Sequence, residues 1–135
     1  MKLSEILSKV KALHLPEGSY VVFGSGPLAA AGIREANDID LYVSKEIHEQ
    51  KEKEGWQFLD KSGSDRPLVW DVFEMHDNWN FSSYNPTLVE LFSRADVIEG
   101  VPFASLEDVR KWKVVSGRPK DLADIKLIDE YFSSR

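Results

Sequence analysis

The stretch VVFGSGPLAAAGIREANDIDLYV, residues 21–43, sets the tightest limit on what this chain can become. SYVVF is a short β-rich run, and Gly24-Ser25-Gly26-Pro27 breaks it at once. Pro27 suits a first helical position and Gly32 the residue just past a helix end, so a short helix of small residues fits between them. DIDLYV then alternates charge and hydrophobe with a period of two, the pattern of a strand that shows one acidic face. Strand, turn, short helix and strand follow one another directly, as in a domain of mixed α/β type.

The flanking segments continue the alternation. Residues 3–13 place Leu3, Ile6, Leu7, Val10 and Leu13 on one face of a helix, which Pro16 and Gly18 end. Ser44 is an N-cap for a surface helix over 44–54, stopped at Gly55. A brief strand over 56–59 and the loop KSGSDRP precede LVWDVFEM, residues 68–75. A helix there would put Asp71 and Glu74 on one face, but two valines and two large aromatics fit a buried strand better, and the strand is expected. Residues 86–93 read as a helix, and DVIEGVPFAS as two short strands around Gly100. Ser105 with Asp108 resembles a capping box for a helix over 106–115 that Gly117 terminates. Pro119 opens the last helix, with Leu122, Ile125, Ile128 and Phe132 expected on the core and Asp121 and Asp124 in the first turn. No repeat or linker interrupts the pattern, so one domain over 1–135 is expected, with helices 105–133 packed on its core.

Composition narrows the function. The chain has 135 residues, 42% of them hydrophobic, enough for one substantial core. No window approaches the ~20 apolar residues of a membrane span, and the charged start is unlike a signal peptide. The absence of cysteine excludes disulfides, a thiolate zinc site and a cysteine nucleophile, and points to a reducing cytoplasm. His14, His48 and His76 show no metal-ligand spacing. A net charge of -6 argues against wrapping long nucleic acid and suits a cation site. From residue 101 onward basic residues outnumber acidic ones seven to six, so the whole acidic excess lies in the first hundred residues.

Three features carry chemistry. In FGSG, glycine lets backbone N–H groups approach a phosphate and Ser25 offers a hydroxyl, although a plain tight turn has the same composition. The Gly-Lys-Ser/Thr ending of a Walker loop and the third glycine of a dinucleotide fingerprint are both missing. Asp38 and Asp40, two apart on a strand, have Cα atoms roughly 6.5–7 Å apart and can share a divalent cation, for which magnesium is the natural choice. The alternative is the solvated face of an edge strand. Asp71 is a mid-strand carboxylate among apolar neighbours, costly unless it meets solvent, a partner or a metal. Beside DIDLYV it would complete a three-carboxylate site, which Glu74, of opposite parity, could not share. Lys113 is a candidate phosphate contact, or part of a solvated face with Arg110 and Lys111. Arg34 could steer phosphate or pair with Glu35, and Trp56, Trp70, Trp79 and Trp112 could stack on a base or simply fill core.

Taken together, Gly24-Ser25, Asp38-x-Asp40 and a later strand aspartate resemble the polymerase-beta-like nucleotidyltransferase superfamily, which includes aminoglycoside and lincosamide nucleotidyltransferases and nucleotidyltransferase-type toxins. The segment FASLEDVRKWKVVSGRPKDLADIKLIDEYF looks like the closing segment of its small bacterial members, where a lysine-bearing helix leads into an Arg-x-Lys-Asp-x-x-Asp helix. The resemblance implies an α+β fold, a mixed sheet flanked by helices. It implies that Gly24 and Ser25 hold the nucleotide phosphates, and that Asp38 and Asp40 ligate magnesium, or manganese in its place. Asp71 is implied as the third metal ligand and an aid to deprotonation, with Lys113, Arg118, Lys120 and Asp121 lining the nucleotide side. The implied activity is transfer of a nucleoside monophosphate from a nucleoside triphosphate to a hydroxyl on a small molecule, protein or RNA. Larger relatives carry a helical substrate domain for which this chain has no room, so the acceptor is left open. The alternative is a catalytically silent module of the same fold that binds a nucleotide or a partner protein, as in a toxin–antitoxin pair; carboxylates that fail to converge would favour it. An unrelated interaction domain would lack a cleft between FGSG and DIDLYV.

Overall fold

The computed structural model describes residues 1–59, 67–78 and 83–135. Among these, six helices alternate with seven strands: α1 (Leu3–Lys11), β1 (Tyr20–Phe23), α2 (Gly26–Ala30), β2 (Ile39–Val43), α3 (Lys45–Lys53), β3 (Gln57–Phe58), β4 (Leu68–Trp70), β5 (Phe73–His76), α4 (Leu88–Ser93), β6 (Asp96–Ile98), β7 (Val101–Phe103), α5 (Leu106–Ser116) and α6 (Pro119–Ser133). The strands form one mixed sheet in the order β3-β4-β5-β2-β1-β7-β6. β1 runs antiparallel to β2 and parallel to β7, and β2 runs parallel to β5. The acidic strand β2 is therefore central, which disposes of the edge-strand alternative.

Alternation along the central strands builds a core on each face. Tyr20, Val22, Ile39, Leu41, Val43, Phe73 and Met75 face Ile6, Leu7 and Val10 of α1 and Ile47 of α3. Val21, Phe23 and Tyr42 face Leu91 of α4, Val109 of α5 and Ile128 of α6. Asp40 shares the parity of Tyr42, and Glu74 and His76 oppose that of Phe73 and Met75. All three therefore point to the α5/α6 side. Helix ends follow local chemistry: Ser44 Oγ accepts from the Ile47 N–H, Ser105 Oγ accepts from the Asp108 N–H, and Gly117 closes α5 at φ 63°.

Two expectations need correction. LVWDVFEM is not one strand: Trp70 pairs with Phe73, so Asp71 and Val72 form a two-residue turn between β4 and β5, with Asp71 at φ 53°. The loop KSGSDRP ahead of it lies, except for its last residue, outside the described residues. The rotation of α6 also differs. Leu122 and Phe132 are exposed, and the inward positions are Asp121, Asp124 and Ile128. Ion pairing of the two aspartates, described below, outweighs the apolar face in orienting the helix. No helix among the described residues is long and apolar enough to cross a membrane.

A second polar anchor ties α4 to α5. Asp108 is buried and receives Arg94 Nε and Nη2 at 2.8 and 2.9 Å, the Tyr84 hydroxyl at 2.9 Å and the Ser105 hydroxyl at 3.0 Å. Burial by itself favours the neutral acid, but these hydrogen bonds outweigh it and hold the carboxyl below its ordinary range. A depressed carboxylate contributes stability that is present above the unfolded value, about 3.9, and is lost as pH falls through the folded one. The urea midpoint is thus expected to hold steady from pH 7 to about 5 and to fall below about pH 4. Asp108→Asn should flatten the acid limb when the midpoint is followed against pH.

Candidate active site

β1 pairs with β2 so that Phe23 faces Asp40, and the chain leaves β1 through Gly24 at φ 67°. A Cβ on Gly24 would lie 2.1 Å from Asp40 Oδ2, so the bare backbone is what lets the turn close over this carboxylate. Gly24→Ala is expected to carry a backbone strain of about 1–2 kcal/mol and to push the Asp40 carboxylate aside, lowering divalent-cation affinity at least about tenfold. Gly32→Ala is the control. Gly32 has φ 76° with nothing within 4 Å of its Cβ position, so it should show the strain in a urea titration and leave a cation titration unchanged.

On the other side of Asp40, β2 and β5 align Asp40 with Glu74 and Tyr42 with His76. Glu74 and His76 are two residues apart on one strand and share a face. Asp40, Glu74 and His76, all half-buried, each offer a ligand atom within 4.8 Å of the other two. His76 Nε2 lies 3.4 Å from Glu74 Oε1. Two carboxylates and an imidazole held by neighbouring strands form a donor set that fits a divalent cation.

Across the cleft stands a wall of paired charges from α5, α6 and the loop after α2. Asp124 receives Arg34 Nε and Nη2, both at 2.7 Å, and the Lys113 ammonium at 2.8 Å. Asp121 receives Arg118 Nε at 2.7 Å and lies 3.5 Å from the same ammonium. Burial disfavours both carboxylates, yet hydrogen bonds from Arg34 and Lys113 to Asp124, and from Arg118 and Ser116 to Asp121, win and hold both below the usual carboxylate range. The hydrogen bond to Asp124 raises the Arg34 guanidinium against the opposing effect of burial, and the charges of Asp124 and Asp38 add to it. Trp112 packs edge-on to Phe23, with ring centroids 5.5 Å apart, and lies beneath the Arg118 guanidinium. The cleft between cluster and wall has a volume of about 490 Å³ and is lined by Gly24, Ser25, Arg34, Asn37, Asp38, Asp40, Glu74, His76, Trp112, Lys113, Ser116, Arg118, Lys120 and Asp124.

No protein-family model matches this chain, and no curated protein matches it. Two solved structures do. A Thermotoga maritima protein described as a candidate nucleotidyltransferase superposes with a TM-score of 0.60 at 19% identity, covering 100% of this chain and 97% of its own. The aminoglycoside nucleotidyltransferase ANT(2″)-Ia, in complex with adenylyl-2″-tobramycin, superposes with a TM-score of 0.55 at 16% identity, covering 96% of this chain and 87% of its own. The chain has a nucleotidyltransferase-like fold.

Within this nucleotidyltransferase-like fold, Gly24, Ser25, Asp38, Asp40, Lys113, Arg118 and Lys120 all line one cleft. Asp71 does not. Its turn carries it to α1, where it pairs with Lys9 at 2.7 Å, and Glu74 takes the place beside Asp40. Asp71 and Glu74 do lie on opposite sides, as their parity requires, but the turn at Asp71 lets β5 start afresh in register with β2, and it is Glu74 that shares the face of Asp40. Asp38 lies one residue before β2, exposed on the cleft, and is not part of the compact donor set. Asp121 is fully buried behind the wall and does not line the cleft, and Lys113, only 4% exposed, spends its charge on Asp121 and Asp124. Arg34 meets Glu35 only through the backbone carbonyl. Of the tryptophans, Trp56 and Trp70 pack together with Phe73 away from the cleft, Trp112 lines it, and Trp79 lies outside the described residues. Sequence reasoning missed His76. The signal available was the Glu74-x-His76 spacing, which repeats the two-residue period of Asp38-x-Asp40.

Proposed function

We infer that this protein transfers a nucleoside monophosphate from a nucleoside triphosphate to a hydroxyl acceptor in a reaction that needs a divalent cation. The observation that carries this reading is the Asp40, Glu74 and His76 donor set lining one cleft with Ser25, Arg118 and Lys120, in a nucleotidyltransferase-like fold. In this reaction the acceptor oxygen attacks the α-phosphorus, the bond from that phosphorus to the bridging oxygen breaks, and pyrophosphate leaves. The work is alignment and charge neutralisation, which need no covalent intermediate. Asp40, Glu74 and His76 would hold a divalent cation, which would supply charge neutralisation for the phosphate chain. Ser25 and the backbone of the Gly24 turn bind the phosphate tail from one side, and the exposed Arg118 and Lys120 bind it from the other. Glu74 is the group assigned to take the acceptor's proton, in place of Asp71. Magnesium is the cation that the carboxylates alone would favour. A chain without cysteine suits a reducing cytoplasm.

The neighbour solved with adenylyl-2″-tobramycin makes ATP the first donor to try and an aminoglycoside the first acceptor class, with protein and RNA ends next. Calorimetry with ATP, GTP, CTP and UTP in the presence of magnesium or manganese, followed by pyrophosphate release and acceptor mass, decides the matter. Binding of at least one nucleotide with acceptor-dependent pyrophosphate release is expected. No binding of any of the four overturns the reading, and binding without transfer to any acceptor class supports the silent module instead.

A further inference from the structure

We propose that the Asp40, Glu74 and His76 cluster selects a first-row transition cation over magnesium, with His76 Nε2 as a nitrogen ligand. The proposal rests on the cluster being the cation site of the reaction above, and it names the metal class which that reading leaves open.

The geometry comes from the sheet. Asp40 and Glu74 are register partners on parallel strands, and His76 follows Glu74 by two residues on the same face. The three donor atoms lie within 4.8 Å of one another. Two atoms bound to one ion at about 2.0–2.4 Å are at most about 4–4.8 Å apart, so small side-chain adjustments bring all three onto a single ion. The side chains of His76 and Glu74 are 12% and 17% exposed, held against the sheet on the cleft side. Strand placement of this kind presents the ligands already oriented.

The chemistry follows from the imidazole. Magnesium demands near-ideal octahedral oxygen coordination and keeps several waters, whereas imidazole nitrogen suits iron, nickel, copper and zinc, and manganese, the weakest binder of the first-row series, is the most stringent probe of the preference. Asp38 and Asp40 on their own would leave an all-oxygen site. With Glu74 and His76 brought in, the set becomes two oxygens and one nitrogen. In the competing arrangement a protonated His76 only pairs with Glu74, and no nitrogen reaches a metal.

The test uses the full chain and manganese alone, without nucleotide. Manganese binding is followed by electron paramagnetic resonance with magnesium as competitor, and the bound ion is examined by pulsed methods for nitrogen hyperfine coupling. The native chain is expected to bind manganese at least about tenfold more tightly than magnesium and to show the coupling. His76→Asn should lower manganese affinity by about 10–100-fold and abolish the coupling. His76→Asp should restore binding without the coupling and let magnesium compete on nearly equal terms, which also shows that the site still folds. His14 and His48 are intact in both variants, so the lost signal belongs to His76. Manganese bound without nitrogen coupling in the native chain, coupling that survives His76→Asn, or no manganese binding would each overturn the proposal. Nitrogen coupling in a protein that never turns over a nucleotide would sink the transfer reading alone; transfer with no coupling would sink only this one.

Discussion

Asp40→Asn is expected to reduce nucleotidyl transfer by about 10³-fold, some 4 kcal/mol of transition-state stabilisation, while the urea midpoint stays close to that of the native chain. Asparagine keeps the size that fits against Gly24 but removes the charge at the centre of the donor set, where register places Glu74 on one side and the Gly24 turn on the other. Asp71→Asn is the contrasting measurement. Its partner Lys9 is 43% exposed and Asp71 itself 40%, so the ion pair is screened by water and its loss should change the transfer rate by less than about twofold. Initial rates of pyrophosphate release for the two variants, with Glu74→Gln alongside, rank the carboxylates. Asp71→Asn as damaging as Asp40→Asn would return the third carboxylate to Asp71 and refute the assignment of Glu74.

Lys113→Met should cost about 3 kcal/mol of stability, the largest loss expected from any one surface of the cleft. The Lys113 ammonium is 4% exposed and lies between Asp124 at 2.8 Å and Asp121 at 3.5 Å. Methionine fills the volume and leaves the two buried carboxylates with Arg34 and Arg118 as their cationic partners. Those arginines are why the cost sits at the low end for a broken buried pair. In a chain of this length the melting temperature should drop by about 10 °C. The deficit should shrink as pH falls through the carboxylate range, because protonating Asp121 or Asp124 removes the charge that has lost its partner. Lys113→Met combined with Asp124→Asn should be less destabilised than the sum of the single changes. A variant as stable as the native chain would show that the wall is not held by these pairs.

Much of this molecule was legible along the chain because its signals are local. The FGSG turn, the caps at Ser44 and Ser105, the stop at Gly117 and the strand in DIDLYV each depend on a few adjacent residues and appear where sequence placed them, although Asp38 falls one residue before that strand and outside the donor set. The failures were those of long-range partners. Nothing within residues 68–75 says that Asp71 opens a turn, because a β-hairpin is decided by which strands pair. Likewise the apolar spacing of α6 predicted a face that its buried aspartates overrode through partners on α5 and beyond α2.

Sequence alone thus determined most of the order of the elements, the acid-bearing strand with its glycine turn, and the absence of thiol chemistry, since all of these follow from residue type and short-range spacing; that the strand is central came from the sheet. Tertiary structure decided which third and fourth groups meet Asp40. Glu74 and His76 reach it through the parallel pairing of β2 with β5, a contact between residues more than thirty positions apart whose register no local periodicity can encode.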